Sequence, residues 1–366
     1  MSPLGHSVGE LVRRLGAGER AASGPGGGVL IDSIPLDAVP AEARARIGRL
    51  DRICRLFLAA SCLAVADAEL TIMDADRERV GLSFGTGLGC LVSDAEFYSR
   101  VVEQGPASAS PRLFAYTVSS AAAGEVSIAL GLHGPNVTSH MGLAAGVGAI
   151  GYGFDLLQLG KADVVLAGGA DANGDALMQA LRAMGLAKGA DAARAFRDAV
   201  PGVWPSEGAA VAVLELEERA RARRARVWAR LCGYAARFEP TLTTREPEIE
   251  GIAATVRRAV AASGRPPNDV DTVVASAHGT PLDACERAAL RGALGDADRR
   301  LLTPKDGLGE CFAASGALGV ALAAGLLAQS GSTPADAVLV SALCYSGSVA
   351  AALLARAAAG AGARTV

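Results

Sequence analysis

Few side chains in this 366-residue chain are suited to chemistry: it carries four histidines (His6, His133, His140, His278) and seven cysteines. His278 stands apart because Ala277-His278-Gly279-Thr280 follows directly on Thr272-Val-Val-Ala-Ser, an apolar run with the character of a buried strand. A titratable ring at the carboxyl end of such a strand sits where α/β sheets bind ligands. A structural histidine held by hydrogen bonds fits the same context. Cys311 and Cys344 are candidate nucleophiles, since a helix N-terminus or a nearby cation can lower a thiol pKa. Glu310, next to Cys311, would act the other way by like-charge repulsion, and packing of a small side chain accounts for both cysteines. Gly85-Thr-Gly-Leu-Gly89 invites comparison with a phosphate loop, but Cys90 stands where GxGxxG requires its third glycine and no Gly-Lys-Ser/Thr follows. A tight turn at a helix start is the better reading. Ser83 and Ser346 lack a G-x-S-x-G elbow.

The elements that must hold these groups follow from composition and pattern. With 35 Lys+Arg against 38 Asp+Glu, the net charge is −3, which gives no concentrated basic surface for nucleic acid. Hydrophobic residues make up 51% and charged residues 20%, enough for a large core and too apolar for disorder. Aromatics are only 4%, so the core must be built by close packing of small residues. Seven cysteines without a CxxC pair argue for reduced thiols and against a zinc site. Met1-Ser-Pro-Leu-Gly-His6 has no basic stretch leading into a long apolar one. The apolar window Ala313 to Gln329 is broken by Gly316, Gly319 and Gly325, which favours a buried helix over a membrane span. The expectation is a soluble cytoplasmic α/β protein with no metal and no membrane contact.

Strand-like runs such as Val164-Val-Leu-Ala and Val338-Leu-Val-Ser alternate with Ala/Leu segments of helical period, among them Ile53 to Ala68. That alternation predicts largely parallel sheets covered by helices. An internal echo sharpens it. Ala144-Ala-Gly-Val-Gly-Ala-Ile-Gly151 precedes Ala162-Asp-Val-Val-Leu-Ala-Gly-Gly, and Ala313-Ala-Ser-Gly-Ala-Leu-Gly319 precedes Ala335-Asp-Ala-Val-Leu-Val-Ser-Ala. Each copy reads as a Gly/Ala-rich helix, a turn, an Ala-Asp pair and a buried strand. The halves are expected at 1–219 and 220–366, with the two helix N-termini facing a shared centre. The charged stretch Glu215 to Arg230, with Glu207 before it, reads as a solvated helix at the seam.

These motifs together resemble the β-ketoacyl synthase family of the thiolase fold, over nearly the whole chain. Ser2-Pro-Leu-Gly resembles the family's opening segment, and Gly85-Thr-Gly-Leu-Gly its GTGxG turn. Gly134-Pro-Asn matches the turn before the nucleophile strand, Ala162-Asp-Val-Val-Leu-Ala-Gly-Gly-Ala-Asp-Ala the ADVxLAGGAEA strand, and Pro205-Ser-Glu-Gly-Ala the GEGA turn. Ala277-His-Gly-Thr-Pro-Leu-Asp283 resembles the first catalytic-histidine motif, shortened by two residues. The resemblance implies a duplicated thiolase-like fold, layered αβαβα, with two mixed and mostly parallel sheets. It implies no cofactor.

The departures from the family are sharper than the matches. Counted from Gly134-Pro135, the nucleophilic cysteine of the family falls on Leu143, which has no lone pair to carry an acyl thioester. Counted from Lys305, which matches the family lysine, the second histidine falls on Glu310, whose charge would repel a developing oxyanion. The closing glycine-rich loop reads Cys344-Tyr-Ser-Gly-Ser-Val349. Of the Cys-His-His set only His278 remains.

Such a chain is similar to a chain length factor, the non-catalytic partner of a ketosynthase in type II polyketide synthases, and in its short length and its Gly-Glu-Cys-Phe-Ala-Ala-Ser-Gly run it resembles the factors of polyene-forming systems more than those of aromatic ones. Those factors usually carry glutamine where Leu143 stands. The resemblance implies a heterodimer with a ketosynthase α subunit and service by an acyl carrier protein. It also implies an interface helix over 114–124, where Tyr116, Ser119, Ser120 and Ala123 would share one face and line the acyl tunnel. An ordinary core helix is the competing expectation. Lys305 and Glu310 are expected to pair and to fill the old pocket, with Glu310 at a helix start. Family members begin with a buried strand before this opening segment, so the edge of the first sheet is expected to be remade or to rest on residues upstream. An acyltransferase using Cys311 or Cys344 with His278 is the alternative function.

Overall fold

The computed structural model describes residues 1–24, 27–197, 201–243, 248–329 and 335–357. The apolar runs form two sheets. The first contains β1 (Val80–Gly85), β2 (Asn136–Ser139), β3 (Val164–Asp171) and β4 (Gly208–Glu215) in the order β2-β1-β3-β4. The second contains β5 (Arg230–Phe238), β6 (Thr272–Val274), β7 (Arg300–Leu302), β8 (Ala337–Leu343) and β9 (Ser348–Ala355) in the order β5-β9-β8-β6-β7. β1 lies parallel to β2 and β3, and β6 lies parallel to β7 and β8. β4, β5 and β9 pair antiparallel with their neighbours. Both sheets are therefore mixed, and every residue of β3 and β8 is buried, as expected of strands covered on both faces.

Six helices set the layers: α1 (Arg52–Asp67), α2 (Ala121–Leu130), α3 (Ala145–Gln158), α4 (Ile249–Ala262), α5 (Leu282–Leu294) and α6 (Ala313–Ala328). α1 and α2 cover the outer face of the first sheet, α4 and α5 that of the second, and α3 with α6 fill the space between the sheets. This is the expected αβαβα stack. α6 is apolar on nearly all sides because it has a sheet on both of them, and its Ala/Leu/Gly composition supplies helix propensity without bulk.

The internal echo is structural. α3 leads into β3 and then the antiparallel β4; α6 leads into β8 and then the antiparallel β9. The orders β2-β1-β3-β4 and β7-β6-β8-β9 coincide. The connection between α6 and β8 lies outside the described residues. The two helix N-termini do meet: a Cβ on Gly146 would stand 2.2 Å from the carbonyl oxygen of Ala313, so the approach at the centre of the molecule depends on a residue without a side chain.

Two expectations need correction. The seam is not one solvated helix: only Glu217–Ala222 is helical, and β5 has begun by Arg230. Glu207 is fully buried, accepts N–H groups from Ile31 and Asn173, and is paired with the Arg52 guanidinium. Glu215 is also buried and pairs with Arg223. Burial against arginine, which a charge pattern cannot reveal, satisfies both. The second correction concerns 114–124. Helix is present at Pro111–Phe114 and again from Ala121, with turns between, so Tyr116, Ser119, Ser120 and Ala123 do not share a helix face. Tyr116 donates its hydroxyl to Glu125 at 3.0 Å, Ser119 meets His140 Nε2 at 2.7 Å, Ser120 is exposed, and Ala123 is packed against the outer core.

Candidate functional site

The carboxyl ends of the central strands converge on a buried ionic cluster. The short helix Lys305–Leu308 stops at Gly309, whose φ of +76° reverses the chain and turns Glu310 back toward Lys305. Lys305 Nζ donates to Glu310 Oε2 at 2.7 Å and to Ser276 Oγ at 3.4 Å. Both charges are buried. Burial by itself pushes the Glu310 carboxyl up, but the Lys305 ammonium and its hydrogen bonds outweigh that and hold it below the usual range. The other oxygen, Oε1, accepts from the Phe312 N–H at 2.9 Å and from the Ser315 hydroxyl at 2.8 Å. Glu310 thus serves unpaired donors at the start of α6.

His278 borders this pair. Burial, reinforced by the Lys305 charge, lowers its pKa, so the ring is neutral at pH 7. Nδ1 donates to the Ser276 carbonyl at 3.1 Å, whereas Glu310 Oε2 lies farther away at 3.7 Å. The contact with Glu310 is therefore not an ion pair. Nε2 is left as a buried atom with no partner among the described residues. Tyr345 stands edge-on to the ring, with centroids 6.3 Å apart.

Sequence reasoning missed the two acids that shape this loop. Asp283 accepts N–H groups from His278, Gly279, Thr280 and Phe196, which fixes the turn carrying the histidine. Glu286 accepts the Ser276 N–H at 2.8 Å, and burial pushes its carboxyl up to about 7. Their signal was available: two acids three residues apart in the first turns of a helix just after His278 share one face. Only packing shows that this face turns inward.

On the facing wall, Leu143 sits in the turn Gly142–Ala144 that opens α3. It packs with Phe312, Leu177, Leu181 and Val203 in an apolar cluster. Phe312 holds φ +53°, a backbone state disfavoured for bulky residues. Asp171, at the end of β3, is buried and joins three segments. It accepts from the Thr86 hydroxyl at 2.5 Å, from the Leu88 N–H at 3.0 Å and from the Ala313 N–H at 2.8 Å, with Gly87 N–H between its oxygens. Burial raises its pKa to about 6. The amides of the Gly85–Gly89 turn that could have cradled a phosphate are occupied by this carboxylate, so the turn is structural.

Similarity to known proteins decides the family. A model described as the β-ketoacyl synthase N-terminal domain matches residues 20–220, and the corresponding C-terminal domain matches 228–336. The chain belongs to the β-ketoacyl synthase family. A 3-oxoacyl-[acyl-carrier-protein] synthase 2 of Staphylococcus aureus (strain N315) is 32% identical over 69% of this chain, and the match spans 63% of the relative's length. The structure called the ishigamide ketosynthase/chain length factor superposes with a TM-score of 0.84 at 25% identity, covering 98% of this chain and 97% of that one. A type II PKS acyl-carrier protein in complex with its ketosynthase also gives 0.84, at 19% identity over 98% and 97%. The fold is that of the thiolase-like ketosynthases.

Within this β-ketoacyl synthase chain the two candidate thiols fare differently. Cys311 is fully buried, and burial pushes its pKa up to about 12, so it stays a thiol at neutral pH. Cys344 approaches the turn that bears Leu143: a Cβ on Gly142 would stand 2.4 Å from its Sγ, which takes a hydrogen bond from Ser346 at 3.1 Å. Tyr116, Ser119, Ser120 and Ala123 share no helix face. Among the described residues no helix is long and apolar enough to cross a membrane, and no cluster of three His, Cys, Asp or Glu side chains has the arrangement of a metal site.

Proposed function

We propose that this protein is a non-catalytic, chain length factor-like subunit that pairs with an active ketosynthase and shapes the acyl tunnel during type II polyketide chain elongation. One observation carries the reading: Leu143 stands in the turn expected to bear the nucleophile, while Lys305 and Glu310 neutralise each other beside His278. A leucine cannot be acylated. A carboxylate 3.7 Å from the histidine ring opposes the negative charge that condensation would develop there. The pocket retains the synthase frame without its reactive groups.

The partner face is argued from exposure. Among the described residues β2 pairs only with β1 and ends the first sheet. On α2, whose Ser127 hydroxyl accepts from Asn136 of β2, Ile128 is 68% exposed, and Phe114 and Val118, in the segment before α2, are 62% and 49% exposed. An unpaired strand edge flanked by large apolar side chains is a surface for another protein. The partner is a ketosynthase α subunit, with an acyl carrier protein delivering the chain, all within the cytoplasm. The test is co-expression with the cognate synthase followed by light scattering on the purified material. The expected species is a one-to-one heterodimer, and I128E is expected to weaken it about 100-fold, on the order of a central interface residue. A monodisperse chain that ignores the synthase would sink the proposal.

The acyltransferase alternative keeps one supporting observation, the closeness of Cys344 to the Leu143 turn. Incubation with an acyl-carrier thioester, read by intact mass and peptide mapping, is expected to leave both Cys311 and Cys344 unmodified. An acyl adduct on Cys344 that disappears in C344A would favour the enzyme reading instead.

A further inference from the structure

The exposed face of α5 carries arginines that the chain leaves without acids. On two other helices an acid stands four residues before an arginine and pairs with it: Glu96 with Arg100, and Glu217 with Arg221. On α5 the residue four before Arg287 is Asp283, but that carboxylate is turned inward. It accepts the N–H groups of Phe196, His278, Gly279 and Thr280. The residue four before Arg291 is Arg287 itself, and like charges at that spacing repel. Both side chains are exposed, and neither forms an ion pair with any described residue.

The two arginines line a cleft of about 350 Å³, with Ala284 and Ala288 on the same helix and Phe196 and Arg197 on the opposite wall. That volume is on the scale of small-molecule sites. Arg197 also forms no ion pair with a described residue, and the one acid in the lining is the engaged Asp283. The wall is fixed in advance. The Arg287 guanidinium carbon stands 4.4 Å from the centre of the Phe196 ring, and its Nη2 lies 3.5 Å from the Phe196 carbonyl oxygen. The Phe196 N–H in turn donates to Asp283 at 2.7 Å. Phe196 holds φ +59°, a backbone state disfavoured for a bulky residue and found where the surroundings enforce it. Leu143, His278, Lys305 and Glu310 do not line this cleft.

We propose that this cleft binds an organic phosphate, its phosphoryl groups held by Arg287 and Arg291 from α5 and by Arg197 from the facing wall. A planar guanidinium presents paired N–H donors that match phosphoryl oxygens. Three such groups without a carboxylate among them suit a ligand of several negative charges, and binding it relieves the repulsion between Arg287 and Arg291. Ala284 and Ala288 leave room for the organic part and offer it an apolar surface. The site is separate from the pocket of Leu143 and Glu310, so the inference stands whether or not the subunit reading holds.

The test is calorimetric titration of the full chain with two probes, ADP and inorganic phosphate, without metal and at about 0.15 M salt, where diffuse surface attraction is screened. ADP is expected to saturate the chain below about 1 mM and to bind about tenfold or more tightly than inorganic phosphate. R197Q and R291Q should each weaken ADP about tenfold, whereas R100Q, which removes an arginine paired with Glu96 on another helix, should leave it unchanged. Melting of each variant without ligand checks the fold. ADP should then raise Tm for the parent and for R100Q and do so far less for R197Q and R291Q. Lack of saturation by ADP, or equal weakening by R100Q, would overturn the site. Inorganic phosphate binding as tightly as ADP would overturn the organic ligand and leave the free ion as the occupant.

Discussion

Replacing Lys305 by methionine is expected to destabilise the fold by about 3–5 kcal/mol, the usual cost of removing one partner from a buried ion pair. Glu310 would then keep its hydrogen bonds from Phe312 and Ser315 but lose Lys305, the one cation among the described residues within ion-pair distance of it, since the nearby His278 ring is neutral. Its carboxyl pKa would rise, so the deficit should shrink in acid, where the group can take up a proton. The double variant K305M/E310Q should recover much of the loss, because neither side chain is then charged. Urea titration is the measurement, with the midpoint falling and the slope unchanged. A single-variant loss below about 1 kcal/mol would mean that the pair is wet and exchanges with solvent, and the account of a sealed pocket would fail.

The second large effect lies in pH dependence. Glu286 is buried, and its carboxyl is raised from 4.5 to about 7. A carboxyl raised on folding favours the native state when protonated. Its contribution is whole below the unfolded value of 4.5 and is lost as pH climbs through about 7. At 1.36 kcal/mol per pKa unit, the loss is roughly 3 kcal/mol across that window. Asp171, raised to about 6, adds a loss of the same sign at somewhat lower pH. Glu310 acts oppositely: its pKa is lowered, so its contribution is present above the ordinary carboxyl range and disappears in acid. The stability of E286Q, measured by denaturant titration at intervals from pH 4.5 to 8, should fall less steeply than that of the parent. The difference between the two curves should change by roughly 3 kcal/mol from end to end. Parallel curves would show that Glu286 does not hold its proton in the fold.

Much of the architecture was legible in order and period. The run Ala162 to Ala172 and its echo at Ala335 to Ala342 became β3 and β8, because a strand with helices on both faces must be apolar throughout. The Gly/Ala-rich character of α3 and α6 followed from the same geometry, since two helices between two sheets can approach closely only without bulk. Leu143, Lys305 and Glu310 could be placed by counting from family motifs. In the structure Leu143 lies in the turn opening α3, and Lys305 and Glu310 form one ion pair.

Other features depended on contacts that no local pattern encodes. The stretch 114–124 has a helical composition, yet its middle, 115–120, is held in turns, where Tyr116 and Ser119 have partners at Glu125 and His140. Asp171 sits in a glycine-rich context that reads as a strand end, but its carboxylate joins β3, the Thr86–Leu88 turn and α6. Glu207 reads as surface charge and is buried against Arg52. Sequence by itself determined which segments must be covered and which reactive groups are missing, because backbone periodicity and side-chain chemistry are properties of the residues themselves. Only the tertiary structure decided which charges are buried and what satisfies them, because desolvation and pairing arise when distant segments meet.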